Sequence, residues 1–114
     1  VVAISSGASK NTYTGWGAYS ISKAALNMMM KVYAEEHKDI HFLSISPGPF
    51  NTAMQDFINE NIDGDKFEWK KKFTDMKENN TLPSASSVAN NIYELLPKLK
   101  KDYTSGSFLD LRKI

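Results

Sequence analysis

The sequence predicts an α/β fold built on a parallel sheet, and three observations carry that reading. Apolar runs fall at Val1–Ser5, Ile40–Ser46 and Ser107–Leu111, and the first is the β-branched kind that fills a strand buried on both faces. Small or rigid residues follow them, with Ser6-Gly7-Ala8-Ser9 after the first run and Pro47-Gly48-Pro49 after the second. A long helical stretch, Ala18–Glu36, separates these two runs. Strand, helix and strand therefore alternate as a parallel pair requires. About three strands with flanking helices amount to half of a doubly wound sheet.

Each element has its own signal. In the long helix Ala18, Ile21, Ala25, Met28, Met29 and Val32 recur at steps of three and four, with no Gly or Pro inside. Ala53–Asn59 and Phe67–Asn79 read as two further helices separated by Asp63-Gly64-Asp65. Their Phe57, Phe67, Trp69, Phe73 and Met76 either pack between helices or face a pocket. Ser84 is placed to cap a helix Ala85–Leu96 with a stripe of Val88, Ile92, Leu95 and Leu96, and Pro97 is expected to stop it. With three strands only, the first has no partner on its outer side. An apolar open edge predicts that the isolated chain associates.

Composition excludes several functions. With 14 Lys+Arg against 13 Asp+Glu the net charge is +1, too little for the field of a nucleic-acid binder. Lys70-Lys71-Lys72, between Glu68 and Asp75, reads as a solvated helix face. No cysteine is present for a disulfide or thiolate metal site. His37 and His41 read as surface residues, so no metal site is expected. No apolar run is long enough to span a bilayer. No nucleic-acid or membrane partner is expected, and the cytoplasm is the expected compartment.

The chemistry sits at the end of the first strand. Tyr19 and Lys23 are four residues apart and share a helix face, while Ser6 closes the preceding strand. Ligands of open α/β sheets bind at the carboxyl ends of strands, where all three can meet. A nearby ammonium favours the phenolate form of tyrosine. Ser6 can donate to a carbonyl oxygen as hydride reaches the carbon, stabilising the developing alkoxide until Tyr19 protonates it. The hydride needs a cofactor.

Ser6, Tyr19 and Lys23 at this spacing, with Ser5-Ser6-Gly7, Pro47-Gly48 and Thr52, resemble the active-site half of a short-chain dehydrogenase/reductase. The resemblance implies a Rossmann-type sheet and NADPH, or NADH, as cofactor. It implies that Tyr19 and Lys23 also hold the nicotinamide ribose, and that Pro47, Gly48, Phe50 and Thr52 lie against the nicotinamide. Gly15-Trp16-Gly17-Ala18-Tyr19, the stretch Pro47–Gln55 and the ending Ser105–Asp110 are similar to the branch containing sepiapterin and benzil reductases. That implies a small-molecule carbonyl substrate, whether ketone, diketone or pterin, bound by Ser6, Trp16, Met54 and Asp110. It also implies a homo-oligomer, dimer or tetramer, and a substrate lid between Thr52 and Pro83.

The six glycines contain no G-x-G-x-x-G turn for a pyrophosphate, and Ala3 stands where relatives commonly carry Asn. Residues 1–114 are therefore read as a C-terminal catalytic and substrate-binding portion, with the N-terminal dinucleotide-binding half absent. The alternative is a non-catalytic interaction module whose long helix meets a partner through Met28, Met29 and Met30, taken as exposed.

Overall fold

The computed structural model describes residues 1–114. They form two compact units, Val1–Gly48 with Ile92–Ile114, and Pro49–Asn91. The first holds a parallel sheet of β1 (Val2–Ile4), β2 (Leu43–Ser46) and β3 (Ser107–Asp110), in the order β1-β2-β3. Ile4 pairs with Ile45, and Ile45 with Leu109. The expected half-sheet is present, with β1 at its edge.

Alternation along the strands sends successive side chains to opposite faces. Leu43, Ile45 and Leu109 join Leu95 and Leu99 of α4 (Ala85–Asp102), and Tyr103 just beyond it, on one face. On the other, Phe42 and Ala3 meet Met30 and Ala34 of α1 (Gly17–Glu36). The sheet is covered on both sides. Every residue of β2 is buried, as a central parallel strand should be. Ser44 and Ser46 are fully buried within it.

Strand ends depart from the sequence reading for local reasons. The second strand begins at Leu43 rather than Ile40 because the Phe42 N–H goes to Ser105 Oγ (2.9 Å) and its carbonyl accepts from Gly106 N (2.7 Å). The third stops at Asp110, since the Asp110 side chain caps a short 3₁₀ turn, Leu111–Lys113. His41 is half-buried, not a plain surface residue, and its Nε2 is buried without a partner.

Two helix expectations are corrected. Pro97 lies inside α4, which runs on to Asp102. The proline removes one backbone hydrogen bond, but continuing the helix buries Leu99 completely and packs Tyr103 on the core, which offsets that loss. Met30 is 2% exposed and faces the sheet. The periodic residues that announced α1, Ile21, Met28 and Val32 among them, lie on its open face.

In the second unit Thr52 Oγ1 caps α2 (Ala53–Asn61) by accepting from Gln55 N, and Ser84 Oγ caps the start of α4 by accepting from Ser87 N. Asn51 N donates to the Pro83 carbonyl (2.9 Å). α3 (Trp69–Glu78) is joined to α2 by Lys77 Nζ–Asp56 Oδ1 (2.6 Å) and by Thr74 Oγ1 donating to Asn59 Oδ1 (3.0 Å). Ile58 and Phe73 are buried, while Phe57 is exposed. No helix is long and apolar enough to cross a membrane.

Candidate active site

Lys23 ties α1 to the end of β1. Its Nζ donates to the Ile4 carbonyl (3.0 Å) and lies 5.8 Å from the centroid of the Tyr19 ring. Ser6 follows Ile4 by two residues, so their Cα atoms are at most about 7 Å apart. Ser6 Oγ accepts from the Ala8 N–H (3.1 Å). Occupied as an acceptor, that hydroxyl retains its proton for donation. The Tyr19 ring stands edge-on to Trp16, with centroids 5.2 Å apart, and Trp16 stacks obliquely on Tyr13 at 5.3 Å. Trp16 thus shares an aromatic row with Tyr19.

A buried polar chain fixes this arrangement. Ser5 Oγ donates to Asn27 Oδ1 (2.6 Å), Asn27 Nδ2 donates to Ser9 Oγ (2.8 Å), and Ser9 Oγ donates to the Ser6 carbonyl (2.7 Å). Both side-chain groups of Asn27 are satisfied, which a buried amide requires. Asn27 lies one turn beyond Lys23 and two beyond Tyr19, on the same face. It holds the Ser6 loop against the helix carrying the other two groups. Sequence reasoning missed Asn27, although a polar residue at i+4 from Lys23, flanked by Leu26 and Met28, was a signal.

At the carboxyl ends of β2 and β3, Gly48 has φ +80° and Arg112 lies against it. A Cβ on Gly48 would meet Arg112 Cδ at 2.9 Å, and one on Gly7 would sit 3.4 Å from Arg112 Nη2. Glycine at 48 is needed for both backbone angle and space. Asp110 is engaged twice over: Oδ1 accepts from Arg112 N (3.0 Å) and Nε (2.9 Å), and Oδ2 from Nη2 (2.7 Å). That side-chain hydrogen bonding, against the opposing effect of burial, holds the Asp110 carboxyl below the ordinary carboxylate range and raises the Arg112 guanidinium. Arg112 is a further site-side residue that sequence reasoning passed over.

The remaining expected residues are divided between the units. Pro47 and Gly48, both half-buried, close β2. Phe50, Thr52 and Met54 belong to the second unit, where Phe50 is half-buried, Thr52 caps α2 and Met54 is exposed on the first turn. In the first unit, the phenol of Tyr19 and the ammonium of Lys23 offer donors suited to ribose hydroxyls and a carbonyl oxygen. They fit the reactive end of a nicotinamide cofactor, and the chain's six glycines form no G-x-G-x-x-G turn for its phosphates.

Comparison with known proteins gives the family and agrees with the fold. The family model for short chain dehydrogenase matches residues 1–63. The chain is 37% identical over 117 residues to a benzil reductase ((S)-benzoin forming) of Bacillus subtilis, covering 99% of this chain and 46% of the relative. It is 35% identical over 111 residues to sepiapterin reductase of Bos taurus, covering 96% and 40%. The crystal structure of the KRED1-Pglu enzyme superposes with a TM-score of 0.83 at 34% identity, covering 95% of this chain and 45% of that one. A short chain dehydrogenase/reductase of Saccharomyces cerevisiae gives 0.79 at 33%, covering 96% and 44%. The chain spans less than half the length of these relatives.

The Asp110–Arg112 pair gives stability a definite pH dependence. A carboxyl whose folded pKa lies below its unfolded value stabilises the fold above the ordinary carboxylate range, about pH 4, and that contribution is lost as pH falls through the lowered folded pKa. Acid unfolding of Asp110→Asn should therefore show a shallower loss of stability below about pH 4 than the parent. Parallel acid-unfolding curves for the two proteins would show that the pair contributes nothing.

Proposed function

Because this chain belongs to the short-chain dehydrogenase family, we propose that it is the catalytic and substrate-binding portion of an NADPH-dependent carbonyl reductase. The supporting observation is the 3.0 Å bond from Lys23 Nζ to the Ile4 carbonyl, which sets the helix bearing Tyr19 against the strand end bearing Ser6. A nicotinamide cofactor, when bound, supplies the hydride. NADPH is chosen over NADH because sepiapterin reductases stand among the relatives.

The chain's own groups handle the oxygen. Ser6, fixed through Ala8 N–H, donates a hydrogen bond to the substrate carbonyl oxygen and stabilises the negative charge that develops there. Tyr19 transfers a proton to the same oxygen, yielding an alcohol. Lys23 keeps two ammonium protons beyond the one given to Ile4; one can hold a ribose hydroxyl. Trp16 lies beside Tyr19 as an apolar wall. Gly48 allows close backbone approach, and Thr52 and Met54 take the cofactor- and substrate-side roles given by the family resemblance. Ketones, diketones and pterin side-chain carbonyls all meet these demands, and the cytoplasm is part of the same reading.

Self-association belongs to this proposal. Ile21 and Met28 are 71% and 58% exposed, and with Met29 and Val32 they leave an apolar stripe on α1, the kind of contiguous exposed apolar surface that marks an interaction site. We assign that stripe to a second copy of the protein. Sedimentation should show Ile21→Glu with Met28→Glu shifting the protein from oligomer to monomer; an unchanged sedimentation coefficient would remove this face from the interface.

For the reaction itself, Tyr19→Phe in the protein expressed from its whole reading frame should lower kcat by about 10²- to 10⁴-fold, with NADPH affinity little altered. Turnover near the parent's would remove Tyr19 as the proton donor.

A further inference from the structure

The buried chain that begins at Ser5 has a fixed direction, and that direction specifies the side chain needed at position 27. At its far end Ser9 Oγ lies 2.7 Å from the Ser6 carbonyl oxygen, which can only accept. The Ser9 proton therefore points to Ser6. The 2.8 Å contact between Ser9 Oγ and Asn27 then needs a donor on the helix side, which turns Nδ2 toward Ser9 and Oδ1 toward Ser5. Oδ1 in turn receives the Ser5 proton (2.6 Å). One side chain must accept on one side and donate on the other. The amide of asparagine does both; a carboxylate only accepts, and an apolar side chain does neither.

What the chain holds is the turn that aims Ser6. The Ser6 carbonyl takes a second bond from Ser9 N (3.0 Å), and Ser6 Oγ takes the Ala8 N–H (3.1 Å) within the same turn, Gly7–Ser9. Beyond the turn, Lys10 Nζ lies 5.1 Å from the centroid of the Phe108 ring on β3, a cation over an aromatic face. The turn is thus held from both flanks. The two ties from α1 differ in what they reach: Lys23 bonds to the Ile4 carbonyl in the strand, whereas Asn27, 8% exposed, reaches the backbone of Ser6 through Ser9.

We propose that Asn27 is a positioning residue for Ser6: through Ser9 it fixes the Ser6 backbone, and so aims the Ser6 hydroxyl at the oxygen that Tyr19, on the same helix, protonates. This rests on the carbonyl-reductase reading and adds a residue to it. Ser6 stabilises charge that develops only in the transition state. Loss of its aim therefore appears in kcat, with KM and NADPH affinity little altered.

The test uses the protein expressed from its whole reading frame, with benzil and sepiapterin as carbonyl probes. Asn27→Leu should lower kcat about ten- to a hundredfold, the scale of a misplacement near one ångström. Ser9→Ala cuts the same link at a half-buried position, without disturbing the packing under α1, and should give a loss in the same range. Asn27→Asp still meets both hydroxyls but draws the Ser9 proton away from Ser6, and should fall between Asn27→Leu and the parent. The decisive readout is the Ser6→Ala background. There neither Asn27→Leu nor Ser9→Ala should lower kcat further, because the group they aim is gone. Full additional losses in that background, or Ser9→Ala turning over like the parent, would overturn the assignment of Asn27 and leave the reductase reading intact. Ser6→Ala with the parent's turnover, or a parent that binds NADPH and reduces neither probe, overturns both.

Discussion

The register of α1 against the end of β1 is the constraint on which the site depends. A helix can slide or rotate on a sheet at small energetic cost when only apolar side chains meet, and a displacement of one ångström would spoil proton transfer. Here the sliding is blocked by polar contacts of fixed geometry. Ser5, Asn27 and Ser9 form a buried chain between strand, helix and loop, and Lys23 adds a bond to the Ile4 carbonyl. Breaking the Ser5–Asn27 link strands buried polar groups, which costs more than the bond itself contributes. Small residues make the contact possible: Ala3 of β1 and Ser5 just after it are the side chains on that face.

The two faces of α1 then have separate tasks. Lys23, Asn27, Met30 and Ala34 follow each other at helical steps on the sheet side, and the opposite side carries the open apolar stripe. The proposed site uses the first and the proposed association the second. At the other two strand ends, Gly48 at φ +80° admits Arg112 so closely that a side chain there would be strained and would have to displace the arginine. The carboxyl edge of the sheet is therefore lined by one anchored hydroxyl, one phenol, one ammonium and one guanidinium already shared with Asp110.

Much of this was legible in the residues. Apolar runs broken by Ser-Gly and Pro-Gly turns announced the parallel strands, and the i, i+4 spacing of Tyr19 and Lys23 announced their common face. What stayed hidden depended on tertiary packing. Hydropathy located α1 but suggested no distinction between Met29 and Met30, which differ by one helical step and end on opposite sides of the burial divide. Pro97 carries a local stop signal that the burial of Leu99 overrides. Asn27 and Arg112 look like ordinary polar residues until the fold brings Ser9 and Gly48 beside them, and Asp110 reads as a free carboxylate until Arg112 closes on it.

The most direct test is a crystal structure of the protein with a carbonyl ligand bound. The account requires Ser6 Oγ and Tyr19 Oη both within about 3.2 Å of the same ligand oxygen, with Lys23 on the side of Tyr19 that faces the end of β1. A ligand oxygen reached by only one of them, or bound away from the carboxyl ends of the strands, would contradict it.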